Sequence, residues 1–532
     1  MVISIPVAGN SVVIQLQRTV HYNIRCYDTS LRVLVGECHI NGYRLSSESS
    51  SLTLNSMESH SRISLNTGNS SNISNACVKK CLVEIGAEQE DCQVIDNIGA
   101  VILIESSNIS TSLLRSTYKR IWTPTSEEEE PLVKLDYFQL YSGLNKAVCI
   151  SGEWSAPVTS LLSKPGRIAV CGPQNSGKST LCRYTVNKLL EHHRTVLFLE
   201  GDIGQSELTP SGLVTLSVLR EPLINPPYCS YSRFVKDLTL ASEHLTAESY
   251  CVGVSSPAQV MREYLEKVKF IVSKARKLNV QGNVPLVVNF MGWTKGFGVA
   301  LHADILRMLE PTHVINLQNN SPKDLPPILE LIETPGILPE HENKIHIPPT
   351  VLNIPGHIST NTTPGFQAFE LRHLASLNYF APIYNSASAI VAPYKIRWSH
   401  VSVIIPEGVE ENLAAYTLSC SVVALLTGPP PAVGSQGINI VDDDNASSMK
   451  CLGLGIVRAI DIKEKVFYLN TPVDKETLDQ VFVFKHTSLP VPHVPSGSLP
   501  TPYISNLAAS EILGMGSRSQ RANLKRRYHA VS

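Results

Sequence analysis

Residues 172–179 read GPQNSGKS, which matches the phosphate-binding loop pattern without a gap. The loop follows a short apolar run at 168–171 and precedes residues whose apolar positions repeat with helical spacing. Glycine permits the turn that directs backbone N–H groups at phosphate oxygens, and the helix N-terminus adds partial positive charge. A chance match in a glycine loop is the competing interpretation, and the strand–loop–helix context weighs against it. The feature predicts a unit that binds a nucleoside triphosphate.

The predicted nucleotide-binding residues are the loop and the threonine that follows it, namely Gly172, Pro173, Gln174, Asn175, Ser176, Gly177, Lys178, Ser179 and Thr180. The amine of Lys178 is expected to reach the β- and γ-phosphates of ATP. The hydroxyl of Ser179 is expected to bind Mg²⁺. The loop alone does not say which reaction the nucleotide undergoes.

Strand-like and helix-like segments alternate along the chain after Arg167. Apolar runs at 168–171, 195–199, 286–288 and 314–317 predict strands, and amphipathic segments between them predict helices. Strands that alternate with helices form parallel sheets with helices on both faces. The pattern therefore predicts an α/β fold for this part of the chain.

Strand-like runs without helical segments lie on both sides of this unit, so we predict a central P-loop NTPase domain with a parallel sheet, flanked by N-terminal and C-terminal β-rich domains. A Ser- and Asn-rich stretch at about 46–75 is expected to be a disordered insertion. The predicted bounds are 1–150 for the N-terminal domain, 151–386 for the P-loop domain with a lid around 365–380, 387–495 for the C-terminal domain and 496–532 for a basic tail.

Composition excludes several classes of protein. The net charge of −1 means that any nucleic-acid contact must come from a local basic patch. No apolar run reaches the roughly 18–20 residues of a membrane span, and residues 1–15 lack the features of a secretory signal peptide, so a soluble intracellular protein is expected. The 12 cysteines are scattered, and reduced thiols are favoured over a zinc site at Cys77, Cys81 and Cys92.

An acidic segment, residues 200–207, follows the second strand of the central unit. Carboxylates at the end of a parallel strand beside a phosphate-binding loop suit a metal partner or a catalytic base. Asp202 is the candidate for either role, and Gln205 is the candidate for orienting a water molecule. A polar loop without chemistry is the alternative.

Two further segments carry candidate residues. Gly292 and Trp293 follow the strand at 286–288, and a tryptophan there could stack on a nucleobase, although a core tryptophan is at least as common. Arg372 lies in a helical segment in which Leu371, Leu374 and Leu377 share a face. An arginine on a lid could neutralise charge on a transferred phosphoryl group, and a surface arginine is the alternative.

Together these motifs resemble the polynucleotide 5′-hydroxyl kinases. In that family the phosphate-binding loop is followed by a D-x-D-x-G-Q strand end, an N-T-x-G-W clasp and an arginine lid. The corresponding residues are 200–205, 289–293 and the helix around Arg372. Segments 451–461 and 469–473 resemble the nucleolar branch, which acts in pre-ribosomal RNA processing. The resemblance covers about residues 150–490.

The resemblance implies an ATP-dependent transfer of phosphate to the 5′-hydroxyl end of RNA. By this resemblance Lys178 and Ser179 hold ATP and Mg²⁺, Asp202 activates the hydroxyl, Trp293 holds the RNA end and Arg372 acts from the lid. It also implies a role in spacer processing and large ribosomal subunit biogenesis, an rRNA-spacer endonuclease complex as partner, and a location in the nucleus and nucleolus.

The chain departs from the family pattern at three positions. Glu200 stands where the family usually has aspartate, and Phe290 stands where it has threonine. Ala375 lies about where a second lid arginine is expected. These departures concern catalytic rate rather than nucleotide binding.

Three other functions remain open on the sequence. The first is a catalytically weak, ATP-binding scaffold of an RNA-processing complex, and the second is an RNA kinase of the pre-mRNA 3′-end cleavage machinery. The third is a general P-loop ATPase or a small-molecule kinase. Five basic residues in the last fifteen favour a nuclear or nucleolar address or a sequence-independent RNA contact, and a solvated chain end is the alternative.

Overall fold

The structure is a computed structural model. It describes residues 2–7, 11–57, 59–68, 73–87, 93–106, 130–144, 146–163, 166–229, 248–338, 347–357, 366–384, 392–431 and 437–492. The predicted basic tail and most of the acidic run at 127–130 lie outside these ranges. No helix among the described residues is long and apolar enough to cross a membrane.

A nine-stranded antiparallel sheet forms the N-terminal part of the chain. Its strands are β1 (Ile3–Val7), β2 (Ser11–Gln17), β3 (His21–Ile40), β4 (Tyr43–Ser46), β5 (Leu52–Ser56), β6 (Ile63–Asn66), β7 (Ile98–Ser106), β8 (Val133–Lys134) and β9 (Phe138–Ser142). The 20-residue strand β3 pairs with β4, β5, β6, β7 and β9, so it organises the whole sheet. Helix α1 (Asn75–Glu84) packs on it through Val78 and Leu82.

The expectation of a disordered insertion at 46–75 is wrong for most of that stretch. Strands β5 and β6 lie within it, and both pair with β3. Leu52, Leu54, Ile63 and Leu65 are buried in the sheet's core. Apolar residues at every second position specify a half-buried strand, and that alternation outweighs the Ser- and Asn-rich composition.

The central sheet has seven strands in the order β13-β12-β11-β14-β10-β15-β16. Their bounds are β10 (Arg167–Cys171), β11 (Val196–Glu200), β12 (Leu213–Leu219), β13 (Glu248–Cys251), β14 (Leu286–Asn289), β15 (His313–Gln318) and β16 (Thr350–Pro355). Five neighbouring strands are parallel to one another, namely β11, β14, β10, β15 and β16. Strands β12 and β13 complete the sheet through antiparallel pairing. The predicted parallel sheet is therefore a mixed sheet with an antiparallel edge.

Helices cover both faces of the central sheet. They are α2 (Gly152–Ser160), α3 (Lys178–Leu190), α4 (Met261–Gly282), α5 (Phe297–Leu309) and α6 (Ile328–Leu331). Ile168 and Val170 of β10 pack with α2 and α3, whereas Ala169 and Cys171 pack with α4 and α5. This alternation explains why the buried strands read as continuous apolar runs.

The C-terminal sheet has seven strands in the order β17-β22-β21-β19-β23-β18-β20. Its strands are β17 (Tyr394–Arg397), β18 (Ser402–Ile404), β19 (Val422–Leu426), β20 (Asn439–Ile440), β21 (Cys451–Asp461), β22 (Val466–Asn470) and β23 (Val483–His486). The helices of this part are α7 (Ala368–Tyr379), α8 (Ala381–Tyr384), α9 (Ala414–Leu418) and α10 (Lys475–Leu478).

The C-terminal sheet shares a hydrophobic core with helix α7 and with the antiparallel edge of the central sheet. Leu374 and Leu377 of α7, Cys251 of β13 and Leu454 of β21 belong to this core. Polar contacts cross the same boundary, because the Ser249 hydroxyl donates to a backbone carbonyl of β21 at 2.7 Å. Helix α7 is thereby fixed between the two sheets.

Candidate active site

The phosphate-binding loop lies between β10 and α3, as the sequence predicts. Gly177, the residue before the helix, has φ of 93°, a conformation that favours glycine. A Cβ added there would lie 2.6 Å from the ring of Trp154, so both conformation and space require glycine. Asn175 also has a positive φ of 62°, which asparagine tolerates better than most residues. The chain is thus shaped into a cradle above the N-terminus of α3.

The side chain of Lys178 lies along this cradle. Its amine donates to the carbonyl of Pro173 at 2.7 Å, and the residue is only 7% exposed. Burial lowers the pKa of Lys178, and the negative charge of Asp202 is the largest opposing influence. A buried ammonium group that faces its own loop is placed to bind an anionic phosphate.

Glu200 and Asn289, the last residues of neighbouring strands β11 and β14, form a buried pair behind Ser179. The Asn289 amide nitrogen donates to both Glu200 carboxylate oxygens, at 3.0 and 3.2 Å, and lies 3.4 Å from the Ser179 hydroxyl. Glu200 also accepts the backbone N–H groups of Asp202 and Glu207. Burial raises the pKa of Glu200 well above its usual value, and Asp202 raises it further. Glu200 is therefore a buried group whose hydrogen bonds are made with the protein itself.

Asp202 lies two residues beyond β11, at the mouth of the site. One of its carboxylate oxygens accepts the N–H groups of Gly204 and Gln205, at 2.9 and 3.2 Å, which fixes the turn. Asp202 interacts electrostatically with Lys178 and with Arg372, whose guanidinium pKa is lowered by burial and raised by Asp202. Two cations and one carboxylate from distant parts of the chain thus converge.

A cavity of about 160 Å³ opens beside these groups. Among the predicted site residues it is lined by Ser179, Thr180, Gln205 and Arg372. The cavity therefore adjoins the helix end of the phosphate loop, the loop after β11 and helix α7. The structure brings these predicted residues together although Ser179 and Arg372 are 193 positions apart in the sequence.

Helix α7, which carries Arg372, is anchored rather than free. Gln367 and Glu370 form a reciprocal capping box at its start. Leu374 and Leu377 are buried, whereas Arg372 is half-buried and lines the cavity. Ala375, at the position suggested for a second lid arginine, also lines the cavity, so the chain presents a methyl group there.

Gly292 and Trp293 have different environments. A Cβ added to Gly292 would lie 2.8 Å from Gln174 Cα and 3.1 Å from the Lys178 amine, so this glycine lets β14's loop approach the phosphate cradle. Trp293 is half-buried, packs against the central core and does not line the cavity. Phe290 is buried and stacks on His302 with ring centroids 5.4 Å apart, so its ring faces the core.

Comparisons with known families match two parts of the chain. The family model described as the mRNA cleavage and polyadenylation factor CLP1 P-loop matches residues 172–334. The model described as the NOL9-like C-terminal domain matches residues 389–492. The polynucleotide 5′-hydroxyl-kinase NOL9 of Danio rerio is 28% identical over 413 residues, which cover 70% of this chain and 54% of the relative.

The chain is similar to proteins named NOL9 polynucleotide 5′-hydroxyl kinases. The resemblance inferred from the motifs is thereby confirmed. NOL9 of Mus musculus is 27% identical over 425 residues, or 69% of this chain and 57% of the relative. The chain thus spans little more than half the length of either relative. A solved structure titled as a complex of Clp1p and Pcf11p covers 92% of this chain and 99% of its own, with a TM-score of 0.53 and 12% identity, which shows a shared fold.

Sequence reasoning missed a second pair of residues beside the candidate site. Arg183 of α3 forms an ion pair of 2.6 Å with Glu207, whose side chain is 3% exposed. Burial raises the pKa of Glu207, and Arg183 opposes that shift. Both residues line the cavity. Helical spacing could have indicated Arg183, because it follows Ser179 by four residues and therefore lies on the same face of α3.

The residues present fit a magnesium ion that arrives with its nucleotide. No cluster of three or more metal-binding side chains occurs within the described ranges. Ser179 and Asp202 supply one hydroxyl and one carboxylate near the cradle. Mg²⁺ commonly binds through one or two protein oxygens, substrate phosphates and water, so a sparse oxygen set is the expected one.

Proposed function

We propose that the protein is a polynucleotide 5′-hydroxyl kinase that transfers the γ-phosphate of ATP to the 5′ end of RNA. The observation that carries the proposal is the convergence of Lys178, Asp202 and Arg372 around one phosphate cradle. The kinship with NOL9 supports the choice of acceptor. Ser179 and Asp202 would hold Mg²⁺, which neutralises phosphate charge when bound.

In this mechanism the 5′ oxygen of the RNA attacks the γ-phosphorus in line with the departing oxygen of ADP. Asp202 accepts the hydroxyl proton as the new O–P bond forms and the bond to ADP breaks. The turn held by Gly204 and Gln205 fixes one carboxylate oxygen and so sets the orientation of the other. Gln205 is placed to position the acceptor or a water molecule at the cavity mouth.

Two cations would neutralise charge on the transferred group. Lys178 exchanges its contact with the Pro173 carbonyl for phosphate oxygens, and Arg372 approaches from α7. Because α7 is packed against two sheets, Arg372 is held in position before substrate binds. Trp293 would contact the RNA from outside the cavity, beyond Gly292.

A direct test uses labelled ATP and a 5′-hydroxyl RNA oligonucleotide. Wild type is expected to label the RNA, Lys178→Ala to label none, and Asp202→Asn to be slower by about 10²–10⁴-fold. Asp479→Asn removes an exposed carboxylate in the C-terminal part and is the matched control. Equal labelling by wild type and Lys178→Ala would refute the kinase assignment.

A catalytically weak scaffold is the second candidate, and Ala375 favours it because it leaves only one lid arginine at the cavity. A scaffold would retain ATP without labelling RNA. A small-molecule kinase would prefer free nucleosides to RNA in a competition assay. A pull-down separates the pre-mRNA 3′-end machinery from the rRNA-spacer endonuclease complex that we propose as partner.

The cellular role follows from the same kinship. We propose that the protein acts in pre-rRNA spacer processing for the large ribosomal subunit, in the nucleus and nucleolus. Deleting residues 518–532 tests the contribution of the basic tail to this location and to salt-sensitive RNA binding. Unchanged location and unchanged binding would refute a role for the tail.

A further inference from the structure

Phe297 is the first residue of helix α5, and its side chain is 63% exposed. It follows Trp293 by four residues on the loop between β14 and α5, which adjoins the candidate site. We propose that Phe297 and Lys295 of this loop bind the second nucleotide of the RNA, so that the site holds a short single strand and not only its terminal nucleoside. This inference rests on the proposed kinase function and names the part of the RNA that the loop recognises.

The loop lies beside the part of the phosphate cradle that is expected to hold the β- and γ-phosphates. An added Cβ on Gly292 would lie 3.1 Å from the Lys178 amine, and Trp293 packs on the sheet face that α4 and α5 cover. The cavity lined by Ser179 lies instead against α3 and the N-terminal sheet. An RNA end held at this loop would therefore attack the γ-phosphorus from the side away from that cavity, as transfer in line requires.

The strand end that carries the candidate base Asp202 is in contact with the strand that precedes this loop. The Gly201 N–H donates to the Asn289 carbonyl at 3.0 Å. An added Cβ on Gly201 would lie 3.1 Å from the same oxygen, so the ends of β11 and β14 approach closely. A strand whose terminal hydroxyl faces Asp202 would extend past Gly292 and along residues 293–297.

The backbone of the loop is held in one conformation. Gly296 has φ of 54°, and an added Cβ on Gly298 would lie 2.2 Å from the Trp293 carbonyl oxygen, so both positions need glycine. The Thr294 hydroxyl donates at 2.5 Å to a backbone carbonyl of the loop after β15. Trp293 and Phe297 are therefore presented in a fixed arrangement, and little ordering is needed when a strand binds.

The exposed groups of the loop suit a nucleotide. Within the part of the chain that the structure describes, the Phe297 ring makes no aromatic contact and the exposed Lys295 makes no ion pair. Every base has a flat face that stacks on an aromatic ring whatever the sequence, and a lysine ammonium group neutralises a backbone phosphate. The loop would therefore detect the presence of a second nucleotide and not its identity.

One test changes the protein and the RNA together. The protein variant is Phe297→Ala, and the altered RNA is a 5′-hydroxyl hexanucleotide with an abasic residue at position two. Each change alone is expected to raise the KM for RNA by about tenfold, and both together should raise it no further, because they remove the same stack. Losses that multiply would overturn the proposal. A wild-type KM in Phe297→Ala would also overturn it and would leave the ring as a contact for a protein partner.

Matched controls separate stacking from a structural effect. Tyr416→Ala removes a ring that is 85% exposed in the C-terminal part and should keep the wild-type KM for RNA. An abasic residue at position five is the RNA control. Phe297→Tyr retains a ring and should keep the wild-type KM, whereas Phe297→Leu should resemble Phe297→Ala. Weaker ATP binding in Phe297→Ala would show that the phosphate cradle has changed and would overturn the stacking role.

The role of Lys295 is tested by salt dependence. Lys295→Gln should reduce the slope of log KM for RNA against log salt concentration by about 0.7, the value for one phosphate of a single strand. Lys463→Gln alters an exposed lysine of the C-terminal part and is the control. An unchanged slope in Lys295→Gln would contradict the phosphate contact.

A binding test does not depend on turnover. A hexanucleotide with 2-aminopurine at position two is titrated with the full chain, and the probe's fluorescence falls when the base stacks. We expect a large fall with wild type, a smaller one with Phe297→Ala, and little change for a probe at position five. Labelled RNA without a fall at position two would overturn the site and leave the kinase function standing. A fall at position two without labelling would support the RNA contact and refute the kinase function.

Discussion

The side-chain amide of Asn289 donates to both carboxylate oxygens of Glu200, at distances of 3.0 and 3.2 Å. Both residues are about 1% exposed, so water does not replace this donor if it is lost. The parallel pairing of β11 with β14 places Glu200 directly opposite Asn289. The pair is therefore a product of strand register and supports the wall behind Ser179.

Replacing Asn289 by leucine is expected to cost about 1–3 kcal/mol of folding free energy, because a buried carboxylate loses a hydrogen-bond donor. Asn289→Asp should cost more, since it sets a second carboxylate against Glu200. Denaturant unfolding without nucleotide measures both variants. Equal stability of Asn289→Asp and wild type near pH 8 would contradict this account.

Gly292→Ala is expected to weaken ATP binding about tenfold or more, because the new Cβ would meet Gln174 backbone atoms at 2.8 and 3.0 Å and displace the phosphate loop. The effect on folding should be smaller than the effect on ATP. Gly152→Ala is the control, since nothing lies within 4 Å of its added Cβ. Titration with a fluorescent ATP analogue compares the two variants. If Gly292→Ala binds ATP as tightly as wild type, the phosphate loop does not depend on the close approach of Gly292.

Local patterns in the sequence predict the phosphate loop and the strands that surround it. The spacing of Gly172, Gly177 and Lys178 specifies strand, turn and helix together, and β10 and α3 follow that prediction. Contacts between elements that are distant in the sequence cannot be predicted from local patterns. Arg183 and Glu207 meet at 2.6 Å only because α3 and the loop after β11 are neighbours in space.

The N-terminal sheet shows why composition misleads. Its Ser- and Asn-rich stretch reads as disordered when residue types are counted. Within that stretch, Leu52 and Leu54 are two residues apart, as are Ile63 and Leu65. All four are buried, and the two strands that carry them pair with β3. The partner strand β3 is far longer than its local pattern suggests, because its 20 residues are stabilised by five neighbours.

The buried His302 is expected to make stability fall as the solution is acidified. Burial lowers its pKa from 6.5 to about 4, while its Nδ1 lies 2.7 Å from the Gly298 carbonyl. Between those pH values the unfolded chain binds the proton more readily, so acidification favours unfolding, by up to about 3 kcal/mol. Unfolding free energies measured from pH 7 to pH 4 should show this slope.

The slope should be shallower in His302→Gln and unchanged in His192→Gln, which alters an exposed histidine of the central unit. An identical slope in His302→Gln and wild type would show that another group titrates.

Tyr379 joins α7 to β21, because its hydroxyl accepts the Leu454 N–H at 2.8 Å and lies 3.3 Å from the Leu454 carbonyl. Tyr379→Phe should cost about 1–2 kcal/mol, since a buried N–H group loses its acceptor. Hydrogen exchange at the Leu454 amide should also become faster. The control Tyr416→Phe alters a residue that is 85% exposed and should change neither measurement. Slow exchange retained in Tyr379→Phe would argue against this anchoring role.

The core that joins α7, β13 and the C-terminal strands has a consequence for dissecting the protein. A fragment that stops after the central sheet would expose Leu213 and Cys251 to water and would lack α7 altogether. Arg372 would then be missing from the cavity. The candidate site therefore depends on both the central and the C-terminal sheets, and cutting the chain at residue 334, where the P-loop match ends, should yield an insoluble piece that does not label RNA.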